Sequence, residues 1–422
     1  MDPTPPAPKP RSPAVTGTPT VDAPVDVVCL GESMVTLLPT RPGRLADVPS
    51  FDRAIGGAES NVACALAAAG HRARWVGRVG HDGFGDHLTE AIGAYGVDVS
   101  AVVRDPDRPT GVYFRTAADR AAAAHEVLYY RSGSAASAMS PATVPYEALT
   151  GGRILHLSGV TAALSDDCLA LMRDLTGPRP GRPLVSFDVN FRPRLWRDPA
   201  AGGRILLELA RGADLVFVGQ DEAEAAWGLS DPAAVRAALP EPAVLVVKRG
   251  GTGAVAFERR ADHEPAGRSG TAPDGPSAAL PTGPSGPGAR PGPASAPGAA
   301  CAGSPDTVNA PGTVTAPGDA CAGSPDTVTA VPAPRVHVVA AVGAGDAFAA
   351  GFLSATLRGL GVKERIRHGH LMAAAALTVP GDLAVPPRRA HADRLAAADD
   401  EDWGTLHLGP GWTGEDQEVR TP

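Results

Sequence analysis

The sequence predicts an α/β fold built on a mostly parallel sheet, and three observations predict it. Short apolar, β-branched runs recur along the chain, each followed by a glycine-bearing turn and then a helical pattern. That alternation is the pattern of βαβ units. Polar residues gather just past the ends of the strand-like runs, where open α/β sheets bind ligands. One pair of runs, 110–115 and 126–131, breaks the alternation and reads as two strands of a small antiparallel flap.

Residues 1–24 are rich in Pro and Thr, have no apolar stretch, and read as a disordered tail rather than a signal peptide. Residues 25–38 read as a strand, a Gly31-Glu32 turn and a second strand. GGAESN then carries Gly57 and Asn61 into a helix over 62–70. Asn61 has an amide that both donates and accepts, which suits a polyol or a sugar acid; the same stretch is also an ordinary helix start. Residues 73–78 form the next strand, and a glycine turn leads to another helix.

In the flap, Tyr113, Tyr129 and Tyr130 lie close in sequence to Arg131. A guanidinium fork grips a carboxylate and phenols take hydroxyls. The alternative is edge-strand tyrosines beside a solvated arginine. Residues 155–159 and 184–190 are parallel-type strands, and the second runs into FDVNFRPRLW, with Asn190 and Arg192 past its end. Residues 215–218 precede an acidic helix start that includes Glu222, a pattern that also serves as capping. Residues 243–248 end at Lys248 and enter a loop containing Gly250, Gly251 and Gly253.

From about 260 to 334 the sequence collapses into Pro, Gly, Ala, Ser and Thr, and ACAGSPDTV occurs twice, at 300–308 and 320–328. Such a segment buries no core and is expected to be a disordered insertion. Beyond it, VHVVAAVGAGDAFAAGFLSATLR passes from a β-branched run through Gly343, Ala344, Gly345 and Asp346 into a helical pattern. Phe348, Phe352, Ala355 and Leu357 share its buried face. Free amides at a helix start attract an anion. A carboxylate in that turn is placed to take a proton from a hydroxyl attacking such an anion. The reading is a phosphotransferase with Asp346 as its base. A last helix over 362–378 precedes Gly381-Asp382, and 389–422 are expected to be an acidic, disordered tail.

Lys and Arg total 38 against 46 Asp and Glu, for a net charge of −8. That speaks against nucleic acid as a partner. No run reaches the roughly 18 apolar residues of a membrane span. The five cysteines show no paired or metal-ligand spacing and read as reduced thiols, which suits the cytoplasm.

Taken together, GGAESNVACALAAAG and VGAGDAFAAGF, in that order, resemble the two signatures of the ribokinase-like (PfkB) carbohydrate kinases. TGVYFR, YYRSGSA, HLSG, FDVNFRPRLW, VKRG and the late GD are most similar to the 2-keto-3-deoxygluconate kinase branch. The resemblance spans about 25–388, less the insertion. It implies a three-layer αβα sandwich with a mostly parallel central sheet and a small β-sheet lid. It also implies ATP and Mg²⁺ as cofactors and a sugar acid as substrate; the exposed edges of the lid strands suggest a homo-oligomer formed through the lid.

By this resemblance Asp346 is the base, and Gly343, Ala344 and Gly345 form the anion hole. Gly57, Asn61, Tyr113, Tyr129, Arg131, Arg192 and Asp382 hold the sugar acid. Asn190, Lys248, Gly250, Gly251 and Gly253 lie beside ATP, and Glu222 serves magnesium. Fructokinase or another neutral-sugar or nucleoside kinase is the alternative within the family; a weakened sugar-binding regulator is the alternative outside it. Two departures stand out. Ala340-Ala341 replace the family's Asp-Thr, which puts activation by a monovalent cation in doubt. Gly219 replaces the Asn of its Asn-x-x-Glu magnesium motif.

Overall fold

The computed structural model describes residues 25–41, 43–116, 126–260 and 326–414. The expected tail at 1–24, most of the low-complexity insertion and the last eight residues lie outside them.

Among the described residues sixteen strands and twelve α-helices follow one another. The first part holds β1 (Val25–Leu30), β2 (Met34–Pro39), β3 (Phe51–Gly56), α1 (Ala58–Ala68), β4 (Ala73–Val76), β5 (Arg78–Gly80), α2 (Gly83–Gly93), β6 (Val103–Asp105), β7 (Val112–Arg115) and β8 (Val127–Tyr130). The middle holds α3 (Tyr146–Thr150), β9 (Gly152–Ser158), α4 (Gly159–Ala162), α5 (Asp166–Thr176), β10 (Leu184–Asp188), α6 (Pro199–Gly212), β11 (Leu215–Gly219), α7 (Gln220–Trp227), α8 (Pro232–Ala238), β12 (Val244–Lys248) and β13 (Ala254–Arg259). The last part holds β14 (Asp326–Val331), β15 (Arg335–Val336), α9 (Ala344–Leu357), α10 (Val362–Leu377), α11 (Arg389–Ala396), α12 (Asp400–Thr405) and β16 (His407–Leu408).

Eight strands form the central sheet in the order β14-β13-β12-β11-β10-β9-β1-β4. It is parallel from β12 to β4, and the hairpin strands β13 and β14 extend it antiparallel at one end. Because strand side chains alternate, the inner strands bury both faces. Val27, Cys29, Phe217 and Val246 join a core with α1, α2, α9 and α10. Val28, Leu30, Val216 and Val247 join a second core with α5, α6 and α8. This is the expected three-layer sandwich. Phe217 meets Phe352 edge-on at 5.3 Å, which seats α9 on the middle of the sheet. A Cβ on Gly351 would come within 2.3 Å of the His368 carbonyl, so glycine permits the close approach of α9 and α10.

The lid is larger than the expected flap. Its four strands run β3-β2-β7-β8, so β2, the second strand of the opening pair, leaves the central sheet and pairs with β7. Polar and apolar residues alternate too weakly in β2 to reveal that destination.

Two expected boundaries are corrected. The insertion does not run to 334: 326–331 form β14, paired along its length with β13. Its first residue, Asp326, receives Arg236 at 2.7 and 2.8 Å in a buried two-point ion pair. The second copy of the repeated string thus ends inside a strand, which composition alone does not signal. Nor are 389–414 a disordered tail. They carry α11, α12 and β16; Trp403 is 1% exposed and Trp412 is 3% exposed. Trp403 Nε1 donates to the Pro332 carbonyl at 2.8 Å, and the Arg367 guanidinium lies 4.7 Å over its ring. The many acidic residues there face solvent while two tryptophans anchor the segment. Replacing Trp403 with Ala is expected to cost about 3–5 kcal/mol of stability, read by urea unfolding.

Candidate active site

The C-terminal ends of the parallel strands, the start of α1, the start of α9 and the lid surround one cleft of about 1480 Å³. Pockets for one small molecule run to roughly 300–1,000 Å³, so this cleft has room for two ligands.

Gly343 caps α9 in the left-handed region, at φ 74°, and a Cβ there would strike the Asp382 carbonyl at 2.2 Å. Glycine is therefore required by conformation and by contact. The helix ladder begins with Ala347 N–H donating to the Gly343 carbonyl at 2.9 Å. The amides just before it are left for a ligand, and the helix dipole makes an anion the favoured one.

Asp346 sits in this first turn, half-buried on the cleft wall. Its Oδ2 accepts from Asn61 Nδ2 at 2.8 Å. Burial pushes its carboxyl up to about 7. The Asn61 hydrogen bond and the more distant Lys248 and Arg192 oppose that rise, while Asp188 adds to it. A carboxylate of this basicity exchanges protons readily near neutral pH.

Asn61 is itself held from below. Glu59, in the first turn of α1, is fully buried. Its Oε1 accepts from Ser158 Oγ at 2.8 Å and Thr161 Oγ1 at 2.7 Å. A Cβ on Gly31 would fall 2.0 Å from its carboxyl carbon. Glu59 thereby pins the start of α1 to the ends of β9 and β1. Burial, with Asp346 adding to it, raises its carboxyl to about 7 against the two hydroxyl bonds.

Four ion pairs line the rest of the cleft. Arg115 meets Asp382 at 2.6 Å, and Tyr113 donates to the same carboxylate at 3.0 Å. Arg131 pairs with Glu32, which also accepts from Ser134 Oγ at 2.8 Å. Arg192 donates to Glu222 Oε1 at 2.9 Å. Lys248 donates to both oxygens of Asp188, at 3.1 and 2.8 Å. Burial works against the charge of Glu222, but Lys248 and Arg192 outweigh it and hold the carboxyl below its usual value. Asn190 adopts φ 42°, the one described non-glycine residue in the left-handed region, and its buried Oδ1 has no protein partner. Strain of this kind persists where the surroundings over-determine it.

The structure gathers most of the sequence-predicted residues on this one cleft: Gly57, Asn61, Tyr113, Tyr129, Arg131, Asn190, Arg192, Glu222, Lys248, Gly343, Ala344, Gly345, Asp346 and Asp382. Gly250, Gly251 and Gly253 do not line it. The first two begin a short 3₁₀ turn, and Gly253, at φ 123°, is backed against the Val331 carbonyl, where a Cβ would stand 2.2 Å away. A close packing of the β12–β13 turn on β14 explains Gly253 without a ligand. Glu32, Glu59, Arg115 and Asp188 were missed as site residues. Each declares itself only through a partner distant in sequence.

Fold and site together define an α/β phosphotransferase: an amide cradle, a basic carboxylate and a cleft for two ligands. The pfkB family carbohydrate kinase model matches residues 25–273 and 313–388, and the chain belongs to that family. It is 35% identical over 239 residues to 2-dehydro-3-deoxygluconokinase of Thermoproteus tenax, spanning 56% of this chain and 73% of that protein. It is 37% identical over 214 residues to the Bacillus subtilis protein of the same name, spanning 49% of this chain and 64% of that one. Among solved structures, a PfkB protein from Polaromonas sp. JS666 superposes with a TM-score of 0.64 at 30% identity, over 89% of this chain and all of the other.

In the role of base expected from the sequence, Asp346 would have to be charged to accept a proton. Activity is therefore expected to fall as pH drops through about 7. Asn61→Ala removes a hydrogen bond that favours the charged form, so the acid limb of the kcat/KM profile should move to higher pH.

Proposed function

We infer that this carbohydrate kinase phosphorylates a sugar acid, 2-keto-3-deoxygluconate, at its terminal hydroxyl with ATP. The observation that carries the reading is Asp346 at the amide cradle, held by Asn61 and opening on a cleft of two-ligand size. Asp346 takes the hydroxyl proton as that oxygen bonds to the γ-phosphorus; the bond to the β-bridging oxygen breaks and ADP leaves with its electron pair. The cradle amides meet the charge of the transferring group, as phosphoryl transfer requires. Asn61, Tyr113, Tyr129, Arg131 and Arg192 face the sugar side, and Asn190 and Lys248 face the nucleotide.

Magnesium on nucleotides keeps several waters and needs one or two protein carboxylates. Glu222 on the cleft wall fits that requirement, and among the described residues no cluster of three or more His, Cys, Asp or Glu points to a larger metal cage. The ion supplies charge neutralisation on the phosphates. A monovalent cation is not part of the reading: Ala340 is buried, and Val339 and Ala340 donate their amides to the Leu377 carbonyl, at 2.7 and 3.3 Å. The turn is thus held without the missing aspartate.

The substrate reading draws on the relatives' names and on the two arginines. Arg131 already pairs with Glu32, so a substrate carboxylate would share it. The edge strand β8 leaves Tyr129 51% and Tyr130 63% exposed. An open edge of this kind favours pairing with a second copy, which supports a homo-oligomer joined at the lid. No described helix is long and apolar enough to cross a membrane, in keeping with a cytoplasmic enzyme.

ADP release measured across sugar acids, hexoses and nucleosides tests the whole reading. A sugar acid should be turned over best, equally in potassium and sodium. Asp346→Asn should lower kcat roughly 10²–10⁴-fold; near-native turnover would exclude Asp346 as the base. Arg131→Ala should raise KM for the sugar acid far more than for fructose, and equal effects would favour the neutral-sugar alternative.

A further inference from the structure

Asp188 closes β10 and Lys248 closes β12, with β11 between them in the sheet. The lysine side chain spans the end of that middle strand to reach both oxygens of Asp188, at 3.1 and 2.8 Å. A Cβ on Gly345 would stand 3.6 Å from Lys248 Nζ. The ammonium therefore lies against the amide cradle, and both members of the pair line the cleft. Their side chains are 17% and 4% exposed. Burying such a pair gains little stability, because desolvation roughly offsets the attraction. Its value is a cation held ready at a place where negative charge develops.

The neighbouring acid is already engaged. Glu222 Oε2 accepts from the Gly219 amide at 2.9 Å, and Oε1 accepts from Arg192 at 2.9 Å. Position 219 has no side chain to offer a metal-bound water. Lys248 is thus the charge set directly against the cradle, on its nucleotide side.

We propose that Lys248 is a catalytic residue of phosphoryl transfer, its ammonium bonding the oxygens of the phosphoryl group as that group crosses the 343–346 cradle, and that Asp188 is the residue that aims it. The proposal rests on the kinase reading and deepens it, from a lysine beside the nucleotide to one that acts on the transferring group itself. Lys248 donates hydrogen bonds and keeps its proton throughout. Burial opposes its charge, but Asp188 and then Glu222 outweigh that and hold its pKa above the ordinary value.

Two readouts test it on the full chain. Lys248→Met should lower kcat by roughly 10²-fold or more while KM for ATP changes far less, and Lys248→Arg should recover part of the loss. Independently, ADP affinity is measured with magnesium and the sugar acid, with and without aluminium fluoride, which mimics the phosphoryl group in flight. The wild type should bind ADP more tightly when the fluoride is added. Lys248→Met should bind ADP alone as the wild type does and lose that gain.

A wild type that turns over sugar while Lys248→Met keeps full kcat, or the full aluminium fluoride gain, overturns the lysine and leaves the kinase reading standing. A wild type that phosphorylates no sugar in the panel and shows no fluoride gain overturns both. Should Lys248→Met lose ADP binding altogether, Asp188→Asn decides: a reduced kcat with ADP affinity retained supports the aimed ammonium, and an unchanged kcat overturns it.

Discussion

A single hydrogen bond, 2.8 Å from Asn61 to Asp346, joins positions 285 residues apart and holds the carboxylate proposed as the base. Each partner lies in the first turn of a helix, and the two helices pack on the same face of the sheet. Neither turn would be useful alone. The start of α9 provides amides and a carboxylate but leaves the side chain free to rotate. The start of α1 provides the donor that stops it, and Glu59 fastens that donor to β9. The result is a carboxylate buried enough to be basic and bonded enough to remain in place.

Around it the cleft is lined by charge of both signs, paired across elements. Arg115–Asp382 and Arg131–Glu32 join the lid side to the body, while Arg192–Glu222 and Lys248–Asp188 bridge the ends of the central strands. Apolar replacements would often be as stable, so the pairs point to function. They hold cations at fixed positions beside a site where phosphate charge has to be met. Asp346, by contrast, is bonded to a neutral amide, which lowers its basicity only part of the way back from the rise that burial causes.

The legible part of the site came from local rules. The small-residue turn 343–345 with Asp346 at a helix start was readable without coordinates as a candidate anion site beside a carboxylate. The parallel α/β sheet was readable from the strand–turn–helix alternation, and the three-layer sandwich followed from the family resemblance. What failed was local composition used as a proxy for packing. Acidic residues at 389–414 suggested a tail, but a segment needs few apolar anchors to fold, and Trp403 and Trp412 suffice. Proline- and glycine-rich surroundings likewise hid β14, whose order comes from β13 and Arg236.

By itself the sequence determined the βαβ alternation and the small-residue turn with Asp346 at a helix start, because these depend on side-chain periodicity and turn residues over a few positions. Only the tertiary structure decided which acid faces which base. Glu32, Glu59, Arg115 and Asp188 take their meaning from partners brought close by the sheet order, and the Coulomb energy between two charges depends on their separation in space and on the solvent between them. Sequence distance carries neither quantity.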